Sequence, residues 1–229
     1  MEQAGVLMLT FGNSRAMLGA LCFYGAALRA ACADGQTNED ATLTADFASR
    51  DALPQSTVPV SPWGSQKGWG PKAAVYPPVE VPPGRDPVTW KRARVVAVAK
   101  KYIGLPYRHH HIPGWEASGV ADPKEAGKGL DCSNFSAWVY NYGLGIKFTG
   151  DIGEQAQGAK APGRMLTVGE PLQPGDLLFI LKGDRSCVSH VVIYIDEDHI
   201  IDSHADGVTV RAFTGWYKSH LSHTRRLVE

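Results

Sequence analysis

Apolar residues in the middle of the chain recur with the period of a helix. In the run DCSNFSAWVYNYGLG, the positions that share one stripe are Phe135, Trp138, Val139 and Tyr142. This i, i+3, i+4, i+7 spacing predicts an amphipathic helix whose apolar side packs against the rest of the fold. Asp131 is a suitable N-cap, and Gly143 and Gly145 provide a stop. The pattern therefore predicts a helix that begins at Cys132, with the cysteine side chain facing inward.

A second period, of two residues, follows farther along the chain. Runs rich in Val, Ile, Leu and Phe predict strands, and these runs cover Leu177 to Leu181, Cys187 to Ile195, His199 to His204 and Val208 to Phe213. Short segments with Pro, Gly and Asp separate the runs and predict tight turns. Both faces of the second run are apolar, which is typical of a buried strand. The runs therefore predict an antiparallel sheet with the second strand near its centre.

Another helical pattern covers Val88 to Ile103, ahead of the Cys132 helix. Its inward positions are Trp90, Val95, Val98, Ala99 and Tyr102, while lysines and arginines occupy the outer positions. The two helical patterns and the sheet together predict an α+β domain over residues 88–229.

The segment 34–87 lacks a comparable pattern. Nine of the fifteen prolines of the chain fall between Pro54 and Pro87, which indicates extended backbone. Aromatic residues are unusual in a pure linker, and those in this segment include Trp63, Trp69 and Tyr76. We therefore interpret residues 34–87 as a Pro-rich linker or as a segment that wraps over the domain.

Residues 1–33 have the features of an export signal. Arg15 precedes an apolar run from Ala16 to Leu28, and Ala31-Cys32-Ala33 fits a cleavage site with small residues. The run is shorter than the roughly 20 residues that span a bilayer. We therefore expect an exported protein, periplasmic or secreted, with no membrane span after signal cleavage.

The charge of the chain gives no general attraction to polyanions. Its 229 residues include 23 lysines and arginines and 23 aspartates and glutamates, so the formal net charge is zero. Strong binding to nucleic acid or to anionic lipid is favoured by a net positive charge or an extended basic patch. We accordingly expect neither nucleic acid nor a membrane as a partner.

Cys132 and His190 carry the strongest chemical signal. The thiolate is the nucleophilic form of cysteine, and the unpaired N–H groups at a helix start favour that anion. His190 lies on the predicted central strand, where a buried imidazole needs a polar partner. A cysteine nucleophile with a histidine general base is one interpretation of this pair. The other interpretation is that both residues belong to the core, the cysteine as a small apolar side chain and the histidine with its polar atoms hydrogen-bonded.

The residue that orients this imidazole is open between two candidates. Asp202 and His204 share one face of the third predicted strand, twelve and fourteen residues after His190. Either side chain can accept the imidazole N–H and so fix the tautomer and orientation of the ring. Strand geometry alone does not choose between them.

Several motifs, in this order, resemble those of the NlpC-type family of papain-like cell-wall cysteine peptidases. They are GLPYRHHH, LDCSNFSAWVY, LQPGDLLFI, VSHVVIYI and the closing RRL. The resemblance covers roughly Val88 to the C-terminus. It implies a papain-like α+β fold, with N-terminal helices and with the nucleophile helix packed on a central antiparallel β-sheet.

The resemblance also implies the catalytic residues. It assigns Cys132 as the nucleophile and His190 as the general base. The third polar residue of the family usually lies about twelve positions after the histidine, which favours Asp202 over His204.

Further positions follow from the same motifs. Tyr107 matches a tyrosine that lies near the nucleophile, and Asp131 and Ser133 fall where family members contact the free amine of the substrate peptide. Gln155 matches a glutamine that follows the cysteine helix.

Four features depart from the family pattern. Asn134 stands in place of the usual glycine, and His109-His110-His111 stand in place of a Trp-Gly-Gly-like or Phe-Gly-Gly-like run. The loop 112–129 is longer than usual, and the third catalytic position is most often a histidine. Most of these positions border the expected substrate groove, so they bear on specificity more than on catalysis.

The resemblance implies an exported cysteine hydrolase that cleaves amide bonds in peptidoglycan stem peptides, of the D-glutamyl–diamino acid endopeptidase type. Two alternatives stay open: a thiol-dependent amidase or acyltransferase that acts on a small molecule or lipid, and a catalytically inert wall-binding protein. Each hypothesis needs no cofactor. Consecutive histidines rarely converge on one ion, so we expect no metal at residues 109–111. We expect Cys187, which alternates with Val188, to be a buried thiol.

Overall fold

The computed structural model describes residues 40–53, 76–108 and 129–229 of the chain. All three ranges belong to one unit, Glu39–Glu229. Within these ranges, no helix has both the length and the apolar character needed to cross a bilayer. Several predictions concern residues outside the described ranges: the export signal 1–33, Trp63, Trp69 and the run His109-His110-His111.

In the described part of the chain, a six-stranded antiparallel sheet forms the centre of the fold. Its strands are β1 (Arg164–Met165), β2 (Leu177–Leu181), β3 (Val188–Tyr194), β4 (His199–His204), β5 (Gly207–Ala212) and β6 (Leu221–Arg226). Their spatial order is β1-β6-β2-β3-β4-β5. The predicted strands are β2 to β5, and their observed bounds agree with the prediction to within one residue. The prediction omitted β6, in which Leu221 is the single apolar residue.

The described helices come before the sheet in the chain, except for one short helix that lies between its last two strands. They are α1 (Phe47–Asp51), α2 (Pro87–Lys101), α3 (Cys132–Leu144), α4 (Ile152–Gln157) and α5 (Gly215–Ser219), with a 3-10 turn at Ala41–Leu43. The two helices predicted from periodicity are α2 and α3. Trp90, Val95, Val98 and Ala99 are buried in α2, and Phe135, Trp138, Val139 and Tyr142 are buried in α3, as expected. Tyr102, also expected to face inward, is the C-cap of α2 and is half-buried.

The ends of α3 lie where the sequence predicts them. Asp131 is the N-cap, and its carboxylate accepts the backbone N–H of Asn134 at 2.8 Å. Gly145 is the C-cap with a φ of 72°, a left-handed conformation that residues with a Cβ rarely adopt. A Cβ at Gly145 would also lie 2.6 Å from the backbone nitrogen of Pro78. Both ends are therefore fixed, which determines where Cys132 lies.

The core lies between the sheet and its two long helices. On this face the sheet contributes Leu177, Phe179, Val191, Ile193 and Ile201, which belong to one cluster with the apolar stripes of α2 and α3. The opposite face carries a smaller cluster that contains Leu178, Ile180, Val192, Ile200 and Phe213. Burying each such side chain contributes about 2 kcal/mol. Because α3 packs on a central antiparallel sheet, the predicted α+β fold of the papain-like type is confirmed.

Parts of the predicted Pro-rich segment pack against the domain. Tyr76 is 1% exposed, and its ring meets Trp138 and Tyr142 edge to face at 5.7 and 5.1 Å. Residues 40–53 form the 3-10 turn and α1, and they bring Arg50 to the end of α3. There the guanidinium of Arg50 donates to the carbonyl of Tyr142 at 2.8 Å. The described residues of this segment thus contribute to the core around α3.

Candidate active site

Cys132 is the first residue of α3 and lies at the border of the core, where it is 7% exposed. The segment before it is held on two sides. Leu130 donates its N–H to Pro106 and accepts the N–H of Arg108. Its carbonyl also accepts the hydroxyl of Ser203 at 2.5 Å. A helix start that is anchored in this way holds a nucleophile in one orientation.

His190 and Asp202 meet where the ladder between β3 and β4 ends. The register of the two strands ends at the pair Ile193–Ile201. Beyond that pair, Nε2 of His190 lies 2.6 Å from Oδ2 of Asp202. Asp202 is fully buried and His190 is 7% exposed. The structure therefore brings two of the predicted site residues into direct contact.

The position of Asp202 leaves Nδ1 of His190 for Cys132. Burial by itself lowers the pKa of His190, but the contacts and charges of Asp202 and Cys132 outweigh this effect and raise that pKa to about 9. The imidazole is therefore protonated at neutral pH. An imidazolium beside a cysteine favours the thiolate, so the geometry and the charges suit a thiolate–imidazolium pair.

Two further side chains hold the carboxylate of Asp202. Nε of Arg211 donates to Oδ1 at 2.6 Å, and the hydroxyl of Tyr217 donates to Oδ2 at 3.1 Å. Burial raises the pKa of Asp202, but His190 and Arg211 together lower it below its ordinary value. The carboxylate is thus charged at neutral pH and points at the imidazole.

Arg211 was not among the predicted site residues, although the pairing of β4 with β5 places it next to Asp202. Strands β4 and β5 are joined through the pair His204–Gly207, and Arg211 then stands opposite Ile200. Residues two apart on a strand share a face, so Arg211 and Asp202 are diagonal neighbours. Tyr217, which lies on the short helix after β5, has no comparable signal.

His204, the other candidate for the third position, lies beside His190 in a different orientation. The two rings meet edge to face with their centroids 5.3 Å apart. His204 is exposed, whereas Asp202 is buried and contacts Nε2. The observed contact therefore favours Asp202, and its catalytic role is part of the proposal below.

Asp131 and Ser133 are engaged within the first turn of α3. Oδ1 of Asp131 accepts the side-chain amide of Asn134 at 2.8 Å and the hydroxyl of Ser133 at 3.3 Å. The hydroxyl of Ser133 also donates to the carbonyl of Gly150 at 2.6 Å. Asn134, which replaces the usual glycine of the family, thus adds a link to the N-cap carboxylate. Asp131 and Ser133 are each 5% exposed, so both residues are buried on either side of Cys132 in the chain.

Gln155 ties α4 to the same turn. Its side-chain amide donates to the carbonyls of Ser133 at 2.8 Å and Thr149 at 2.6 Å, and its oxygen accepts the hydroxyl of Ser136 at 3.1 Å. Gln155 is fully buried. These contacts give it a structural role, because they fix the turn that carries Cys132.

Tyr107 lies close to Cys132, on the segment that pairs with Leu130. Burial and the negative charges of Cys132 and Asp131 raise the pKa of Tyr107 to about 12. The phenol is therefore protonated at neutral pH. This location agrees with the expectation from the family motifs.

The prediction that Cys187 is a buried thiol is wrong, because the structure shows it exposed and free. Cys187 precedes the first residue of β3, Val188, and its carbonyl accepts the N–H of Lys182 across the turn. A turn residue faces solvent regardless of the alternation in the following strand. Among the described residues, no group of three or more His, Cys, Asp or Glu side chains is placed to hold a metal ion.

Comparisons with solved structures show likeness at low identity. An NlpC/P60 family protein from Bacillus cereus is 27% identical, with a TM-score of 0.47, over 59% of this chain and 39% of that one. The peptidoglycan hydrolase RipB from Mycobacterium tuberculosis is 22% identical, with a TM-score of 0.49, over 65% and 69%. The NlpC/p60 domain of the peptidoglycan hydrolase SagA is 26% identical, with a TM-score of 0.41, over 59% and 97%. The chain thus spans less than half of the Bacillus cereus protein.

The family comparison covers the whole candidate site except Tyr107. No curated protein matches the chain significantly. Residues 114–226, however, match the model of the NlpC/P60 family, and the match ends at the last residue of β6. This range contains Cys132, His190 and Asp202, together with the motifs LDCSNFSAWVY, LQPGDLLFI and VSHVVIYI. Residues 114–226 of the chain therefore belong to the NlpC/P60 family.

Proposed function

We propose that the chain is an exported cysteine hydrolase that cleaves amide bonds in peptidoglycan stem peptides, of the D-glutamyl–diamino acid endopeptidase type. The contact between His190 and Asp202, beside Cys132 at a helix start, carries this proposal. The family match supports it, and RipB and SagA are peptidoglycan hydrolases. Because peptidoglycan lies outside the cytoplasmic membrane, the export signal predicted in residues 1–33 fits a periplasmic or secreted location.

In the first step the thiolate of Cys132 attacks the carbonyl carbon of the amide. A C–S bond forms, and the π electrons of the carbonyl move to its oxygen. Asp131 accepts the N–H of Asn134, so we assign the N–H groups of Cys132 and Ser133 as donors to this oxyanion. The protonated phenol of Tyr107, which lies near Cys132, is a further proposed donor to this oxyanion.

In the second step the imidazolium of His190 gives its Nδ1 proton to the leaving amine as the C–N bond breaks. The product is a thioester on Cys132. Neutral His190 then takes a proton from water, whose oxygen attacks the thioester, and the C–S bond breaks to restore the thiolate and the imidazolium. Throughout the cycle Asp202 holds the ring through Nε2.

The start of α3 also offers a place for the free amine of the stem peptide. The carboxylate of Asp131 is charge-complementary to a substrate ammonium group. The hydroxyl of Ser133 donates to Gly150, and a hydroxyl that donates in this way still has lone pairs with which to accept. We therefore propose Asp131 and Ser133 as substrate contacts, together with Tyr107, which lies near Cys132.

Digestion of purified peptidoglycan, followed by mass spectrometry of the soluble fragments, tests the proposed function. We expect the untreated protein to release stem-peptide fragments cut between D-glutamate and the diamino acid. Alkylation of Cys132 with iodoacetamide, verified by peptide mapping, should stop the release. Cys187→Ser is the matched control, because it removes the exposed thiol and should change neither the rate nor the inhibition.

The remaining outcomes separate the alternatives. Undiminished release by fully alkylated protein would contradict a cysteine mechanism. Acyl transfer from a small thioester without peptidoglycan cleavage would favour the acyltransferase or amidase alternative. Binding to peptidoglycan without either reaction would indicate an inert wall-binding protein.

We expect the rate of hydrolysis to fall as the pH rises through about 9. The pKa of His190 is raised from its ordinary value to about 9, so the imidazolium is fully present at neutral pH and is lost through that value. Asp202→Asn removes the principal contact that raises this pKa, and it should move the alkaline limb toward neutral pH. Measurement of kcat/KM against pH would show both effects.

A surface histidine–aspartate pair provides the control for this experiment. Oδ1 of Asp196 contacts Nδ1 of His199 at 2.8 Å, and both side chains are about half exposed. The pH profile of Asp196→Asn should therefore equal that of the unmodified protein. If the alkaline limb of Asp202→Asn stays in place, the limb does not belong to His190.

A further inference from the structure

Arg211 links the buried site to the protein surface, and the mechanism above gives it no role. Its Nε donates to Oδ1 of Asp202 at 2.6 Å. Its terminal nitrogens donate to both carboxylate oxygens of Asp206, one of them at 3.1 Å. The side chain of Asp202 is fully buried, whereas that of Asp206 is 60% exposed. The inner contact therefore acts in a low dielectric and the outer contact acts in water.

The titratable and charged groups around His190 come from several elements. Those recorded against the imidazole are Cys132 at the start of α3, Asp202 and His204 on β4 and Tyr217 on α5. Farther out, Tyr107 and Asp131 lie near Cys132, Arg211 on β5 bonds Asp202, and Asp206 bonds Arg211. The innermost charges are balanced when the thiol is ionised. Cys132 and Asp202 are then negative, while His190 and Arg211 are positive.

This balance matters because the proton of His190 has to leave during the reaction. A buried carboxylate that is compensated by the imidazolium alone holds that proton strongly, and a strongly held proton makes a poor general acid. A guanidinium that bonds the other oxygen of the carboxylate compensates part of its negative charge. It also fixes the rotation of the carboxylate, because its planar array of donors bonds Asp202 and Asp206 at the same time.

We propose that Arg211 is a positioning residue that acts through Asp202. It holds Oδ1, so that Oδ2 faces His190, and it compensates the carboxylate charge, so that His190 can pass its proton to the leaving amine. The significance of this role rests on the proposed function, whereas its electrostatic effect can be measured without a substrate.

NMR titration of protein labelled with ¹³C at histidine follows the protonation of His190 directly, and the signal is assigned by its loss in His190→Ala. We expect Arg211→Gln to move the titration midpoint of His190 upward by about one pH unit or more, since a nearby cation is lost. Arg211→Lys restores the charge without the planar fork, and its midpoint should lie within about 0.3 pH units of the unmodified protein. Asp206→Asn is the matched control, and its midpoint should also lie within about 0.3 pH units of the unmodified protein, because this change removes only the exposed partner of Arg211.

The sign of the shift separates charge compensation from a merely structural role. A guanidinium that only supports the fold would, when removed, loosen the contact between Asp202 and His190 and so lower the midpoint. An unchanged or lowered midpoint in Arg211→Gln would therefore overturn the proposal. If that variant does not fold, a midpoint in Arg211→Lys that departs by more than the stated margin overturns it instead. These results stand even if the protein releases nothing from peptidoglycan, which would contradict the proposed function alone.

Discussion

Alanine at position 132 or at position 190 is expected to lower the rate of stem-peptide hydrolysis by at least about a thousand-fold. Cys132→Ala removes the sulfur that bonds to the carbonyl carbon. His190→Ala removes the counter-ion of the thiolate and the donor to the leaving amine. Because the two side chains act as one unit, the double variant should be about as slow as either single variant. The rates are measured as fragment release from purified peptidoglycan, per mole of folded protein.

Two controls make this result specific. Cys187→Ala is the same change at an exposed cysteine outside the site, and it should leave the rate unchanged. His204→Ala tests the alternative that the sequence left open, and its effect should be small because Asp202 occupies Nε2 of His190. Appreciable hydrolysis by Cys132→Ala would eliminate Cys132 as the nucleophile. A large loss of rate in His204→Ala, with little loss in Asp202→Ala, would show that His204 and not Asp202 orients the imidazole of His190.

The elements that carry the site were predictable because each has its own local pattern. The apolar stripe of α3 repeats within one helix, and its N-cap and left-handed glycine mark the two ends. Alternation with intervening turns identified β2 to β5. Such patterns depend on neighbours that are a few residues apart, so a single sequence contains them. They placed Cys132 at a helix start and His190 on a central strand.

The polar contacts around these residues were not predictable in the same way. Arg211 and Tyr217 reach Asp202 from a later strand and a short helix, and their contacts depend on register and on the course of the chain after β5. The burial of Cys187 was predicted wrongly for a different reason, because the alternation of the strand does not extend to the residue before it, which lies in a turn. Tyr76 lies in a Pro-rich segment without periodicity, and its burial depends on a pocket between residues far along the chain.

The far end of α3 is held by residues that precede it widely in the chain. Arg94 of α2 is fully buried, and its Nε donates to the carbonyl of Gly143 at 2.7 Å. Its terminal nitrogens donate to the carbonyl of Leu43 at 2.5 Å and to Asp46 at 2.6 Å. A cation at the carbonyl end of a helix satisfies groups that the helix itself leaves unpaired and interacts favourably with its dipole. Residues 40–53 and α2 thus brace the helix whose other end carries Cys132.

Replacement of Arg94 by methionine is therefore expected to lower the free energy of unfolding by about 3 kcal/mol, because it leaves the carbonyls of Leu43 and Gly143 without this donor and removes one of the two guanidinium partners of Asp46. Urea unfolding followed by circular dichroism measures this loss. Arg85→Met is the matched control, since the side chain of Arg85 is 49% exposed and pairs with Asp40 at 3.0 Å; its cost should stay below about 0.5 kcal/mol. Equal losses in the two variants would mean that the buried guanidinium does not brace α3. A large loss in Arg94→Met, with hydrolysis retained at temperatures where the variant is folded, would show that this brace acts on stability and leaves the chemistry to the opposite end of the helix.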